Sequence, residues 1–131
     1  MSTEAIVVLG AGIFYYCLTG IWYTVMGKRW LNAWKLEEES LNPKNPTPYL
    51  VAFIGSLWTS YGYFILIKHI APKNVIELIT ISIGVWLFIV VGTTAKHYAF
   101  SGQSLRAFLI DYTIDLIGVV LMGFMIWGWA L

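Results

Sequence analysis

Four stretches of this chain are each long and apolar enough to cross a bilayer: Ala5–Met26, Pro48–Ile67, Val75–Ala95 and Leu105–Leu131, the last holding a span over about 105–130. A span needs about 20 mostly apolar residues to cross a hydrocarbon core about 30 Å thick. Within lipid every backbone N–H and C=O must be paired inside the protein, which leaves only helices and closed barrels. Each stretch is too long for a strand, and none alternates apolar and polar residues as a barrel strand does. The expected fold is an all-α membrane protein: one domain over residues 1–131 with four transmembrane helices.

Composition points the same way. Hydrophobic residues make up 59% of the chain and charged residues 11%, against roughly a quarter charged in soluble domains. A soluble domain of 131 residues could not hide that much apolar side chain. The net charge of +1 offers no basic stripe for phosphates, so nucleic acid is not an expected partner; the lipid bilayer is. Cys17 is the single cysteine, which excludes an intrachain disulfide and a cysteine-based zinc site. Before the first apolar run the charged side chain is Glu4, where a cleavable signal would carry Lys or Arg. The first stretch is therefore expected to be a permanent span.

Local chemistry marks the boundaries. Thr47-Pro48 reads as an N-cap followed by proline in the first helical turn. Asn74 with Glu77 three residues on resembles a capping box, and Ser104 is positioned to cap the fourth helix. Pro72 and Gly102 punctuate the two short loops. The long connector Gly27–Thr47 divides in two. Residues 28–40 place Trp30, Leu31 and Trp34 on one face, away from Lys35 and Glu37–Glu39, which predicts a short helix lying in the membrane interface. Residues 42–48 contain three prolines and are expected to be extended.

Cationic residues set the expected orientation. Loops one and three carry Lys28, Arg29, Lys35, Lys44 and Lys96, with Arg106 at the mouth of the fourth helix; the other face carries Lys68 and Lys73. That bias places loops one and three in the cytoplasm and both termini outside, with a cell membrane, the bacterial inner membrane, as the expected location.

Asp111 and Asp115 are the candidate ion or proton site. A carboxylate deep in a span costs roughly 3 kcal/mol, so it is seldom kept there without a partner or a task. Residues four apart share a helix face, so both look into the same space. At about 6 Å and an effective dielectric near 20 their charges would repel by roughly 3 kcal/mol, so the pair is expected to share a proton near neutral pH. Two readings stand side by side: a proton or cation site, and interhelical bonds to Thr, Tyr or Trp donors or a salt bridge to Lys96 or Arg106. The D-x-x-x-D spacing also occurs where carboxylates hold a magnesium diphosphate, but here the pair has no second acidic motif. His69 and His97 fall at opposite membrane faces and cannot jointly clasp a haem or metal; no cofactor, metal site or catalytic residue is expected. Small residues mark packing faces: Gly12 and Gly20 on helix one, Gly55, Thr59 and Gly62 on helix two, Gly84 and Gly92 on helix three. Trp22, Tyr23, Trp30 and Trp34 near one interface, and Trp127 and Trp129 near the other, are expected to anchor the protein as aromatic belts.

Trp22-Tyr23, then Gly27 and Trp30, resembles the signature that follows the first helix in the family catalogued as domain of unknown function 1761, small four-helix membrane proteins. The likeness continues at Phe100-x-Gly102, Leu105, Phe108-Leu109-Ile110 and Gly123, covering nearly the whole chain. The resemblance implies the four-helix architecture and a polar position on the fourth helix, where the family usually shows Asn at the place of Asp111 and a polar residue near Asp115. It implies no activity. Two function classes follow: a small oligomeric channel or ion-coupled transporter with Asp111 and Asp115 along a polar pathway, or a non-catalytic accessory or assembly subunit of a membrane complex. Partners would be further copies of the chain or other membrane subunits.

Overall fold

The computed structural model describes residues 1–42 and 44–131, with the Ser40 side chain also outside the description. Its regular elements are helical, and four helices are long and apolar enough to cross a membrane: α1 (Thr3–Trp34), α2 (Thr47–Ile70), α3 (Val75–Phe100) and α4 (Leu105–Trp129). Ser2 caps α1 by accepting from the Ala5 N–H at 3.1 Å. Asn74 caps α3 through the Glu77 N–H at 2.9 Å, and Ser104 caps α4 through the Ala107 N–H at 3.1 Å. Glu77 does not close the reciprocal bond of a capping box; its carboxylate accepts instead from the Lys73 N–H at 2.7 Å. Gly102 turns the chain between α3 and α4 at φ 72, a conformation that glycine adopts without penalty.

The first loop departs from expectation. No separate interfacial helix forms over residues 28–40. Instead α1 runs unbroken to Trp34, Lys35 reverses it at φ 57, and a short 3-10 turn covers Glu38–Ser40. Gly27 alone is too weak a breaker, costing about 1 kcal/mol against alanine, and Trp30 and Trp34 find hydrogen-bond partners on α4 that reward the continued helix. The stretch before α2 is turned rather than extended in its described part. The Asn42 and Asn45 side-chain oxygens each accept from the N–H two residues on, Lys44 and Thr47, at 3.1 Å, an Asx geometry that competes with extension. Pro43 of that stretch lies outside the described residues. Helix α2 begins one residue earlier than expected, with Pro46 rather than Thr47 at the cap position and Pro48 in the first turn.

α1 packs along both α2 and α4, and α3 packs on α4. Two cores result. One joins Val8 and Ala11 of α1, Phe64 and Ile67 of α2, Leu78 of α3 and Met122 and Ile126 of α4. The other lies towards loops one and three, where Ala33, Ala107 and Ile110 are surrounded by Tyr23, Met26, Trp30, Trp34 and Tyr98. The outer surface is apolar: Trp58 is 79% exposed and Phe88 78%, as befits side chains meeting lipid. In the middle of α3, Val85–Val91 widens into a π-helical segment with none of its residues buried.

Of the glycines read as packing positions, Gly12 is the one where two helices touch. A Cβ there would lie 3.0 Å from the Leu57 Cα and 3.3 Å from the Ser56 carbonyl oxygen. Gly20, Gly55, Gly62 and Gly84 have open space around them. Gly12→Ala should therefore force α1 and α2 apart, since backbone cannot give as a side-chain tip can, at a cost of about 1–3 kcal/mol. Gly20→Ala should be neutral or slightly stabilising; thermal melts in detergent compare the two.

Candidate functional site

The aspartates of α4 face α1, and the antiparallel run of these two helices pairs late residues of α1 with early residues of α4. Asp111 collects four donors. Its Oδ1 accepts from the Tyr23 hydroxyl at 2.6 Å and from the Trp30 indole at 2.9 Å. Its Oδ2 accepts from the Trp34 indole at 3.0 Å and from the Tyr98 hydroxyl. Tyr23, Trp30 and Trp34 are spaced seven and four apart, so α1 presents them on one stripe. Tyr98 comes from α3. One carboxylate thus ties three helices together.

The donors also pack on one another. Tyr23 meets Trp30 edge-on at 6.0 Å between centroids, Trp30 meets Trp34 at 6.0 Å, and Trp34 meets Tyr98 at 5.6 Å. Tyr98 continues the chain of rings to Phe108 at 5.0 Å and Tyr112 at 5.6 Å. Such edge contacts add about 0.5–1.5 kcal/mol each beyond area burial. Two further indoles bind the carbonyls flanking Asp111: Trp22 donates to Ile110 O at 2.9 Å and Trp86 of α3 to Tyr112 O at 2.8 Å.

Asp115 sits one turn further along α4 and, among the described residues, accepts from a single donor, the Tyr15 hydroxyl, on Oδ1. Tyr15 reaches it by lying across Gly118, where a Cβ would fall 2.5 Å from the ring. The sequence pair is therefore divided in the structure: Asp111 is enclosed by four aromatic donors and Asp115 is held by one. Neither aspartate is salt-bridged to Lys96 or Arg106; among the described residues the one ion pair is Lys68 with Glu4, 3.4 Å apart near the opposite membrane face. Among the described residues no group of three or more His, Cys, Asp or Glu side chains is arranged to hold a metal.

The residues read as interfacial anchors take several positions. Tyr23, Trp30 and Trp34 point into the bundle as Asp111 donors, and Trp22 binds the α4 backbone. Trp127 donates to Pro72 O at 3.0 Å, closing the loop between α2 and α3, while Trp129 is 66% exposed. Tyr15, Tyr98 and Gly118 were not singled out from the sequence. Their signal was present for the α1 residue: Tyr15, Tyr23, Trp30 and Trp34 form one helical stripe of aromatics that each carry an O–H or N–H.

The family described as "Protein of unknown function (DUF1761)" matches residues 6–127, and the chain belongs to it. No curated protein and no solved structure matches the chain.

Proposed function

We propose that this member of the family is a non-catalytic accessory or assembly subunit of a membrane complex, in which the α4 aspartates hold a four-helix unit in one conformation. The observation that carries this reading is the saturation of Asp111. An ionised carboxylate has about four lone-pair sites, and four protein donors occupy them. Two of these donors are indole N–H groups, which cannot turn to accept and so cannot exchange roles with a passing cation or proton. A carboxylate filled by its own fold suits a clamp better than a conduit. The exposed apolar faces of α2 and α3 leave room for partner subunits or further copies of the chain.

Asp115 favours a second reading, an oligomeric channel or ion-coupled transporter. It is half-buried, lies one turn further along α4 and has one donor among the described residues, which leaves acceptor capacity for a proton or ion. Purified protein in liposomes separates the two. The accessory reading expects proton, sodium and potassium fluxes equal to those of empty liposomes. A flux that Asp115→Asn abolishes would establish the transport reading in its place.

Both termini outside and loops one and three in the cytoplasm of a bacterial inner membrane complete the proposal, on the cationic bias of six residues to two. After Cys17 is replaced, a single cysteine at Lys44 should resist an impermeant thiol reagent in intact cells, and one at Leu131 should react. The reverse pattern would invert the topology.

A further inference from the structure

Between α1 and α4, at the membrane face that carries loops one and three, runs an open groove of about 540 Å³. Trp22, Met26 and Arg29 of α1 line one side; Arg106, Leu109 and Thr113 of α4 line the other. Arg29 stands near the end of α1 and Arg106 near the start of α4, so both belong to the same interface. Neither takes part in an ion pair among the described residues. Deeper in the membrane Met26, Leu109 and the Trp22 ring give an apolar lining, with the Thr113 hydroxyl at its far end. The Trp22 wall is fixed in advance by the bond of its indole to Ile110 O at 2.9 Å.

We propose that this groove is a binding site for one anionic phospholipid, with the phosphodiester held between Arg29 and Arg106 and an acyl chain along Trp22, Met26 and Leu109. Charge complementarity identifies the occupant. Two unneutralised guanidinium groups at headgroup depth suit a phosphate, to which arginine can donate two parallel hydrogen bonds. Basic pockets between transmembrane helices recognise acidic headgroups by this means. The start of α4 adds the positive end of its helix dipole beside Arg106. A soluble phosphate would satisfy the arginines but leave the apolar length of the groove unfilled. A zwitterionic lipid would bring no net charge to balance two cations. The site is separate from the aspartates, so it stands whether these serve as a clamp or as a conduit.

Native mass spectrometry of the purified protein in a non-ionic detergent tests it, with phosphatidylglycerol, phosphatidylcholine and inorganic phosphate as the probes. Wild type should retain one phosphatidylglycerol per chain in preference to phosphatidylcholine, and millimolar phosphate should not displace it. Arg29→Gln with Arg106→Gln should weaken retention by about twenty-fivefold, about fivefold for each arginine near an anionic headgroup. Both side chains are exposed, so the folded state should survive, and an unchanged thermal melt verifies this. Leu109→Trp, which fills the groove and leaves both arginines, should also reduce retention. Equal retention of the two lipids, displacement by phosphate, or wild-type retention in both the double glutamine variant and Leu109→Trp would each overturn the proposal.

Discussion

Asp111→Leu should cost the bundle about 2–4 kcal/mol, the largest loss expected from any single exposed or half-buried polar position in the chain. The estimate is four interhelical bonds at about 0.6–1 kcal/mol each, the range for such bonds inside membranes. The removed carboxylate leaves the Trp30 and Trp34 indoles and the Tyr23 and Tyr98 hydroxyls facing apolar side chain. The hydroxyls can rotate towards other acceptors; the indoles cannot. Asp111→Asn should cost less, about 1 kcal/mol, because its oxygen still serves two donors while its amide meets an indole N–H that can only donate. This gives a test that simple loss of packing would fail. If Asn turns its amide to Oδ2, then Trp34→Phe should be nearly silent in the Asp111→Asn background and costly in wild type. A double-mutant cycle on thermal or denaturant unfolding in detergent reads that coupling, and additive losses would show that Trp34 and Asp111 do not interact energetically.

Gly118→Ala is the second large effect. A methyl group at this position would lie 2.5 Å from the Tyr15 ring, far inside contact distance, so the ring must leave. Its departure also removes the Tyr15 hydroxyl, the one donor to Asp115 among the described residues. Overpacking of this kind costs about 1–3 kcal/mol, and the lost hydrogen bond adds to it. The cost should vanish when the ring is absent: Gly118→Ala in a Tyr15→Ala background should be neutral or slightly stabilising, since alanine exceeds glycine in helix propensity by about 1 kcal/mol. Melts of the two singles and the double measure this. A Gly118→Ala penalty that persists without Tyr15 would mean that the close approach is not what excludes the methyl group.

The two sites differ in how far they could be read from the chain alone. The four helices follow from run length and hydropathy, because the bilayer demands about 20 apolar residues and an internally paired backbone. The aspartates stand out by the same logic, as costly groups in apolar surroundings. Their partners do not. Tyr23, Trp30 and Trp34 lie 77 to 88 residues before Asp111 in sequence, and no local period announces which helix an aromatic stripe will face. Tryptophan and tyrosine near the end of a span also read naturally as interfacial belts, since an amphipathic ring suits both a headgroup layer and a buried acceptor. That ambiguity explains the expected interfacial helix over residues 28–40. Trp30 and Trp34 do share one face, but its neighbour is a carboxylate on α4 rather than lipid. Gly118 shows the same limit. Its neighbour is a ring from α1, and the glycine stripes visible on α1, α2 and α3 are open at most positions while Gly12, Gly118 and Gly123 carry the contacts.

Hydrogen exchange at the indole N–H groups tests the central claim, that Asp111 is held by donors of its own fold. In a two-dimensional nitrogen–proton spectrum of the protein in detergent, the Trp30 and Trp34 indole protons should exchange much more slowly than that of Trp129, which is 66% exposed. Asp111→Leu should accelerate both and leave Trp129 unchanged. Trp30 and Trp34 exchanging as fast as Trp129 in the wild-type protein would contradict the account.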